Sequence, residues 1–173
     1  MSEEQSTKIG LLVDVTGEYF TGRLIAGSEA TATEDNSPRL GQVGSYLSVG
    51  QSDRRTLVTV ERSYRVADKQ GQSAHMVRLT PVGEFSREGK FNRGVSHFPT
   101  SGAEIHPVSQ EDLEQIFAEH SGVGYKVGRL TAFNEVEVYL DASAFFGRHA
   151  AILGQSGSGK SWTVTSLIQS ALE

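Results

Sequence analysis

The sequence predicts a mainly β chain: a small N-terminal β-barrel with a short helix, followed by the first strand, loop and helix of an α/β domain. Three observations predict it. Short apolar runs recur through residues 8–95, separated by turns, and 19 glycines against 4 prolines supply those turns. An amphipathic helical pattern begins near residue 110. The chain then closes on an apolar run, a glycine-rich loop and a second amphipathic pattern.

Lys8 to Val15 and Tyr19 to Ile25 read as a hairpin about the turn Thr16-Gly17-Glu18. Residues 27–38 are small and polar and read as a surface loop. Strands follow at Val43–Val49, Thr56–Val66 and His75–Val82, the last after the turn Lys69-Gln70-Gly71-Gln72. Gly83 to Val95 continues in strands and turns. Ser109 suits a helix N-cap, and Leu113, Ile116 and Phe117 then recur at helical spacing, predicting a helix over 110–120. Residues 122–140 read as two strands about Thr131-Ala132-Phe133-Asn134, and Asp141–Phe146 as one helical turn. His149–Leu153 reads as a buried strand. After it, Val164, Leu167, Ile168, Ala171 and Leu172 form a helical stripe. The expected organisation is a barrel over 1–108, a helix-and-strand connector over 109–145, and the start of an α/β domain over 146–173.

Composition narrows the function. With no cysteine, disulfides and thiolate metal sites are excluded. The acidic N-terminus lacks the basic start and apolar run of a secretory signal. No run approaches the roughly 18 apolar residues of a membrane span, so a cytoplasmic protein with no membrane partner is expected. The formal charge of −5 argues against this segment gripping DNA by itself.

One motif carries chemistry. Gly154-Gln155-Ser156-Gly157-Ser158-Gly159-Lys160-Ser161 fits the phosphate-loop pattern G-x-x-x-x-G-K-[ST] in full, between an apolar run and an amphipathic helix. Phosphate oxygens are held by successive backbone N–H groups, so the loop must curl where a Cβ would intrude. The following helix adds unpaired N–H groups and a favourable dipole. Lys160 would place its cation on the β- and γ-phosphates of ATP, and the Ser161 hydroxyl would bind Mg²⁺. Trp162 opens the helix, with its backbone N–H within reach of the α-phosphate. The alternative is a glycine-rich strand–helix turn whose lysine is incidental. A hydrolase of this class also needs a carboxylate on a later strand. Asp141 precedes the loop and reads as a helix cap or loop residue. The segment therefore reads as truncated and inactive in hydrolysis by itself.

These residues resemble the N-terminal part of the HerA family, hexameric DNA translocases of the FtsK-like ATPase group. The resemblance is carried by Gly41-Gln42-Val43-Gly44-Ser45-Tyr46, Gly83-Glu84-Phe85, Gly89 to Ser96, Phe98-Pro99, Ser109 to Leu113, Gly128-Arg129-Leu130, Val136 to Asp141, and Arg148 to Gly154. It implies a barrel of the HAS type, shared with rotary ATP synthase subunits, leading into a RecA-like ATPase domain. The barrel would form a ring and dock a nuclease or an effector of anti-phage systems. Double-stranded DNA would be engaged by the rest of the ATPase domain. The resemblance also places Arg148 near nucleotide; the plain reading is a surface arginine beside a strand. It implies that the full-length protein is a translocase or helicase. The alternative is a non-catalytic oligomerisation module whose phosphate loop is only structural.

Other residues carry less. His75, His97, His106, His120 and His149 show no metal-ligand spacing. Phe85, Phe91 and Phe98 read as barrel core or interface rather than a base-stacking platform. Arg54, Arg55, Arg62 and Arg65 read as a solvated strand face rather than a DNA contact.

Overall fold

The computed structural model describes residues 7–27, 40–51, 53–67, 72–130 and 133–172. The expected loop at 27–38 and turn at 69–72 lie almost wholly outside these residues, as do Thr131 and Ala132. The chain divides into two compact units, Met1–Ser109 and Gln110–Glu173.

The first unit is a closed barrel. Strands β1 (Gly10–Val15) and β2 (Phe20–Leu24) form the expected hairpin. Thr16 makes its turn: the hydroxyl accepts from Tyr19 N–H at 3.0 Å and donates to Tyr19 C=O at 2.7 Å. Strands β3 (Tyr46–Gln51), β4 (Arg54–Ala67), β5 (Ser73–Phe85), β6 (Phe91–Arg93) and β7 (Glu104–Pro107) follow. The sheet order is β2-β1-β7-β3-β4-β5-β6, and β2 also pairs with β5. That extra pairing joins six strands into a ring with every ladder antiparallel, and β6 attaches alongside β5. Bulges bend the walls at Val13 in β1, Glu61 in β4 and Val82 in β5.

Alternation fills the interior. Phe20 and Leu24 of β2, Leu47 and Val49 of β3, Val58 and Val60 of β4, Val77 and Leu79 of β5, and Ile105 of β7 are all buried in one cluster. Each such side chain contributes about 1.5–3 kcal/mol on burial. Gly22, between Phe20 and Leu24, also faces inward. A Cβ there would lie 2.5 Å from Ile105 Cδ1 and 3.2 Å from Val77 Cγ2, so the absent side chain is the space Ile105 occupies.

Glu84 of β5 is a buried carboxylate, and it pins the chain after β6. It accepts the backbone N–H groups of Ser96 at 3.1 Å and His97 at 3.2 Å. Burial pushes its pKa up, but these backbone donors and the nearby His97 hold it below the usual carboxylate value. Of the three phenylalanines, Phe85 is buried and tilts against Phe91 at 5.2 Å. Phe98 is 46% exposed but sets its edge on core Phe20 at 6.1 Å.

The second unit holds α1 (Gln110–Phe117), β8 (Tyr125–Leu130), β9 (Phe133–Leu140), α2 (Ala142–Phe146) and α3 (Lys160–Leu172). Helix α1 lies against β9, and Leu113 and Val136 are fully buried. The hairpin β8–β9 and the one-turn α2 stand where the sequence places them. Phe146 meets Tyr125 edge-on at 5.3 Å.

Three expectations need correction. His149–Leu153 is not a strand: its backbone joins no ladder, and Leu153 is 90% exposed. An apolar run becomes a strand only when neighbours complete its hydrogen bonds, and no described strand does so. The strand expected from Val43 begins at Tyr46, because Gly44 sits at φ 87° in a turn and Val43 is exposed. Helix α1 ends at Phe117 rather than 120, giving way to turns about Gly122 at φ 91°. Strand β7 was not foreseen.

Gly22→Ala is expected to destabilise the barrel by about 1–3 kcal/mol, because Ile105 must move. Urea unfolding with an unchanged slope and a lowered midpoint checks this; an unchanged midpoint contradicts it.

Candidate nucleotide-phosphate site

The loop Gly154–Ser161 owes its path to its glycines. Gly157 sits at φ 79° and Gly159 at φ 85°, in the left-handed region that costs side-chain-bearing residues strain. Gly154 is crowded differently: a Cβ there would lie 2.5 Å from Ser158 Oγ. The loop turns where Ser158 N–H donates to Gln155 C=O at 3.2 Å. Helix α3 then starts at Lys160, with Thr163 N–H bonded to Gly159 C=O at 2.9 Å. A glycine-turned loop thus ends on the N-terminus of a thirteen-residue helix, whose first N–H groups have no intrahelical acceptor.

Lys160 folds back across the loop. Its Nζ donates to Gln155 C=O at 2.5 Å, so the cation stands over the curl. Gln155, Ser156 and Ser158 are exposed along the loop, and Ser161 is exposed on the first turn of α3. Trp162 is 77% exposed. The contiguous residues Gly154–Ser161 are therefore brought together by the loop itself. Arg148 lies in the exposed segment before it. Among the described residues no hydrogen bond or ion pair joins Arg148 to the loop; its charge acts instead on Asp141.

Asp141 is a helix cap, as read from the sequence. Its carboxylate accepts Ser143 N–H at 2.9 Å and Ala144 N–H at 3.0 Å at the start of α2. The Ala144 and Ser143 N–H groups, with His120 and Arg148, outweigh partial burial and hold its pKa below the ordinary value. A carboxylate so used is occupied structurally. The helical stripe on α3 is largely uncovered: Val164, Ile168 and Leu172 are exposed.

Sequence reasoning missed one polar cluster, on β8–β9. Glu137 accepts from Lys126 Nζ and from Tyr139 Oη at 2.7 Å, and Arg129 lies 3.5 Å away. The signal was present, since Arg129 stands opposite Glu137 in the hairpin register, but the register needs the bulge between Lys126 and Gly128. The Lys126 and Tyr139 hydrogen bonds pull the Glu137 pKa from 4.5 to about 2. The Tyr139 phenol is pushed up, chiefly by the same bond.

Comparison with known proteins gives two findings. Residues 125–173, from β8 to the end of α3, match the family described as "Helicase HerA, central domain". Over 141 residues the chain is 28% identical to a probable helicase of Methanocaldococcus jannaschii. That alignment covers 78% of this chain and 26% of the relative, so the chain spans about a quarter of the relative's length.

Because Glu137 titrates lower in the folded hairpin than in the unfolded chain, its contribution is complete above pH 4.5 and is lost as pH falls through about 2. A carboxyl NMR titration is expected to show a midpoint near 2, moving toward 4.5 in Lys126→Ala. A midpoint already near 4.5 in the unaltered chain contradicts the geometry.

Proposed function

The two matches support a segment of a HerA-family protein, and on that premise we propose that the chain is the N-terminal part of a HerA-type hexameric, ATP-driven DNA translocase or helicase. The observation that carries the reading is the loop: Gly157 and Gly159 in left-handed conformations, Lys160 folded over the curl, and α3 starting beneath it. That arrangement fits a polyphosphate. Backbone N–H groups along the loop and the first turn of α3 would surround phosphate oxygens. Lys160 would exchange its contact with Gln155 C=O for the β- and γ-phosphates, and Ser161 would offer its hydroxyl to Mg²⁺. ATP with Mg²⁺ supplies the phosphoryl chemistry; the residues here bind and orient it. Arg148 is the candidate second cation near the nucleotide.

In this reading the barrel assembles a ring and docks a nuclease or another effector, such as those of anti-phage systems. Duplex DNA is gripped by the larger ATPase domain. Among the described residues no helix is long and apolar enough to cross a membrane, and a cytoplasmic setting goes with the reading. A second reading, a non-catalytic oligomerisation and interaction module, is favoured by the barrel, which has a buried hydrophobic core of its own.

Fluorescent ATP titration separates the readings. The chain is expected to bind with Mg²⁺, and Lys160→Ala to weaken binding about tenfold or more, equivalent to at least about 1.4 kcal/mol. Equal affinity in Lys160→Ala defeats the phosphate-site reading and favours the structural one. The 173-residue chain is also expected to release no phosphate above the Lys160→Ala background, since Asp141 is committed to capping α2. Turnover above that background contradicts the assignment.

A further inference from the structure

Two rows of side chains cross the outer face of the barrel. In one, Leu11 of β1 pairs with Arg23 of β2, Arg23 with Met76 of β5, and Met76 with Tyr64 of β4. In the next, Thr21 pairs with Arg78, and Arg78 stands directly opposite Arg62. The alternate positions Gly22, Phe20, Val77 and Leu79 point into the core, so these rows face out.

Like charges directly opposite on a sheet weaken the pair they belong to. Here Arg62 and Arg78 are opposed, with Arg23 on the neighbouring row. Asp14 continues the second row, opposite Thr21, and Glu61 is the bulge residue beside Arg62. Neither forms an ion pair with these arginines, and Glu61 instead accepts from Thr80 at 3.3 Å. The arginines are held in place rather than neutralised: Arg78 lies 4.3 Å over the Tyr19 ring and Arg62 lies 5.1 Å over Tyr64. Such stacking orients a guanidinium and leaves its N–H edge available for a planar anion. Leu11, 37% exposed, and Val13, 42% exposed, add apolar surface beside the charges.

We propose that this face, formed by Leu11, Arg23, Tyr64, Met76, Arg78 and Arg62, docks a protein segment that alternates carboxylates with apolar side chains. It rests on the reading of the barrel as a docking element and narrows that element to one face and one partner chemistry. Charge complementarity requires an acidic occupant, and the mixture of Arg, Tyr, Met and aliphatic surface is that of a protein interface. A nucleic acid fits less well. The tyrosine rings are covered by the protein's own arginines, and the apolar residues have nothing to meet on a phosphate backbone. The chain's net charge of −5 also repels a long polyanion more than a short acidic segment.

The test uses the full chain and a short fluorescein-labelled peptide of glutamate and leucine, read by anisotropy and by amide chemical-shift mapping. The peptide is expected to shift amides of β1, β2, β4 and β5. Arg62→Gln/Arg78→Gln is expected to weaken binding about tenfold, and Lys90→Gln, in the β5–β6 turn, to leave it unchanged. Thermal melting of each variant confirms folding. Peptide binding that survives in Arg62→Gln/Arg78→Gln overturns the face while leaving a docking role elsewhere on the barrel. Absence of peptide binding overturns the partner chemistry. So does tighter binding of a single-stranded oligonucleotide through the same arginines. Concentration-dependent shifts on this face without peptide overturn it in favour of a second copy. ATP binding on the same samples bears on the phosphate loop alone.

Discussion

The pairing of Phe20–Leu24 with His75–Leu79 is the contact on which the first unit depends. It connects a hairpin at the start of the chain to a strand some fifty residues later, so its loop-closure entropy must be offset by burial. Closure removes the free edges that an open sheet of these strands would expose. It also turns one side of the six ring strands into a common interior, where Phe20, Val77, Leu79 and Ile105 meet. Gly22 belongs to the same constraint. Only a residue without a side chain lets β2 approach β5 while Ile105 fills the space between them.

That closure also determines what the outside can do. Once alternate residues of β2, β4 and β5 are committed to the core, their neighbours must share the outer face. Arg62 meets Arg78 because Val60 meets Leu79 one step away across a bulge. The bulge residue, Glu61, is diverted to Thr80 instead of to an arginine. The basic surface is thus a consequence of the register. Its arginines are steadied by tyrosines, whose rings attract but do not discharge them.

The second unit shows a different balance. Its hairpin is tied by Glu137 with Lys126, Arg129 and Tyr139, and α2 is tied by the Asp141 cap. These are local contacts among near neighbours, and they need little burial. The Gly154–Ser161 loop is equally local, set by the backbone freedom of Gly157 and Gly159 and by the start of α3. Apolar residues that flank it, Leu153 and Leu172 among them, remain exposed.

Locally encoded features were legible in the sequence by itself. The β1–β2 hairpin, the helices α1, α2 and α3, the Asp141 cap and the glycine loop Gly154–Ser161 all follow from turn chemistry, capping or short-range periodicity, which need no distant partner. What depended on distant partners was decided only by the tertiary structure. Strand β7 is four residues long, Glu104–Pro107, and carries too short a pattern to read. It is a strand because β1 and β3 flank it. His149–Leu153 shows the converse: its pattern is that of a strand, yet without a ladder partner the backbone is not one. The Arg62–Arg78 juxtaposition likewise required the β4–β5 register and its bulge, since residues sixteen apart in sequence are neighbours only through the folded sheet.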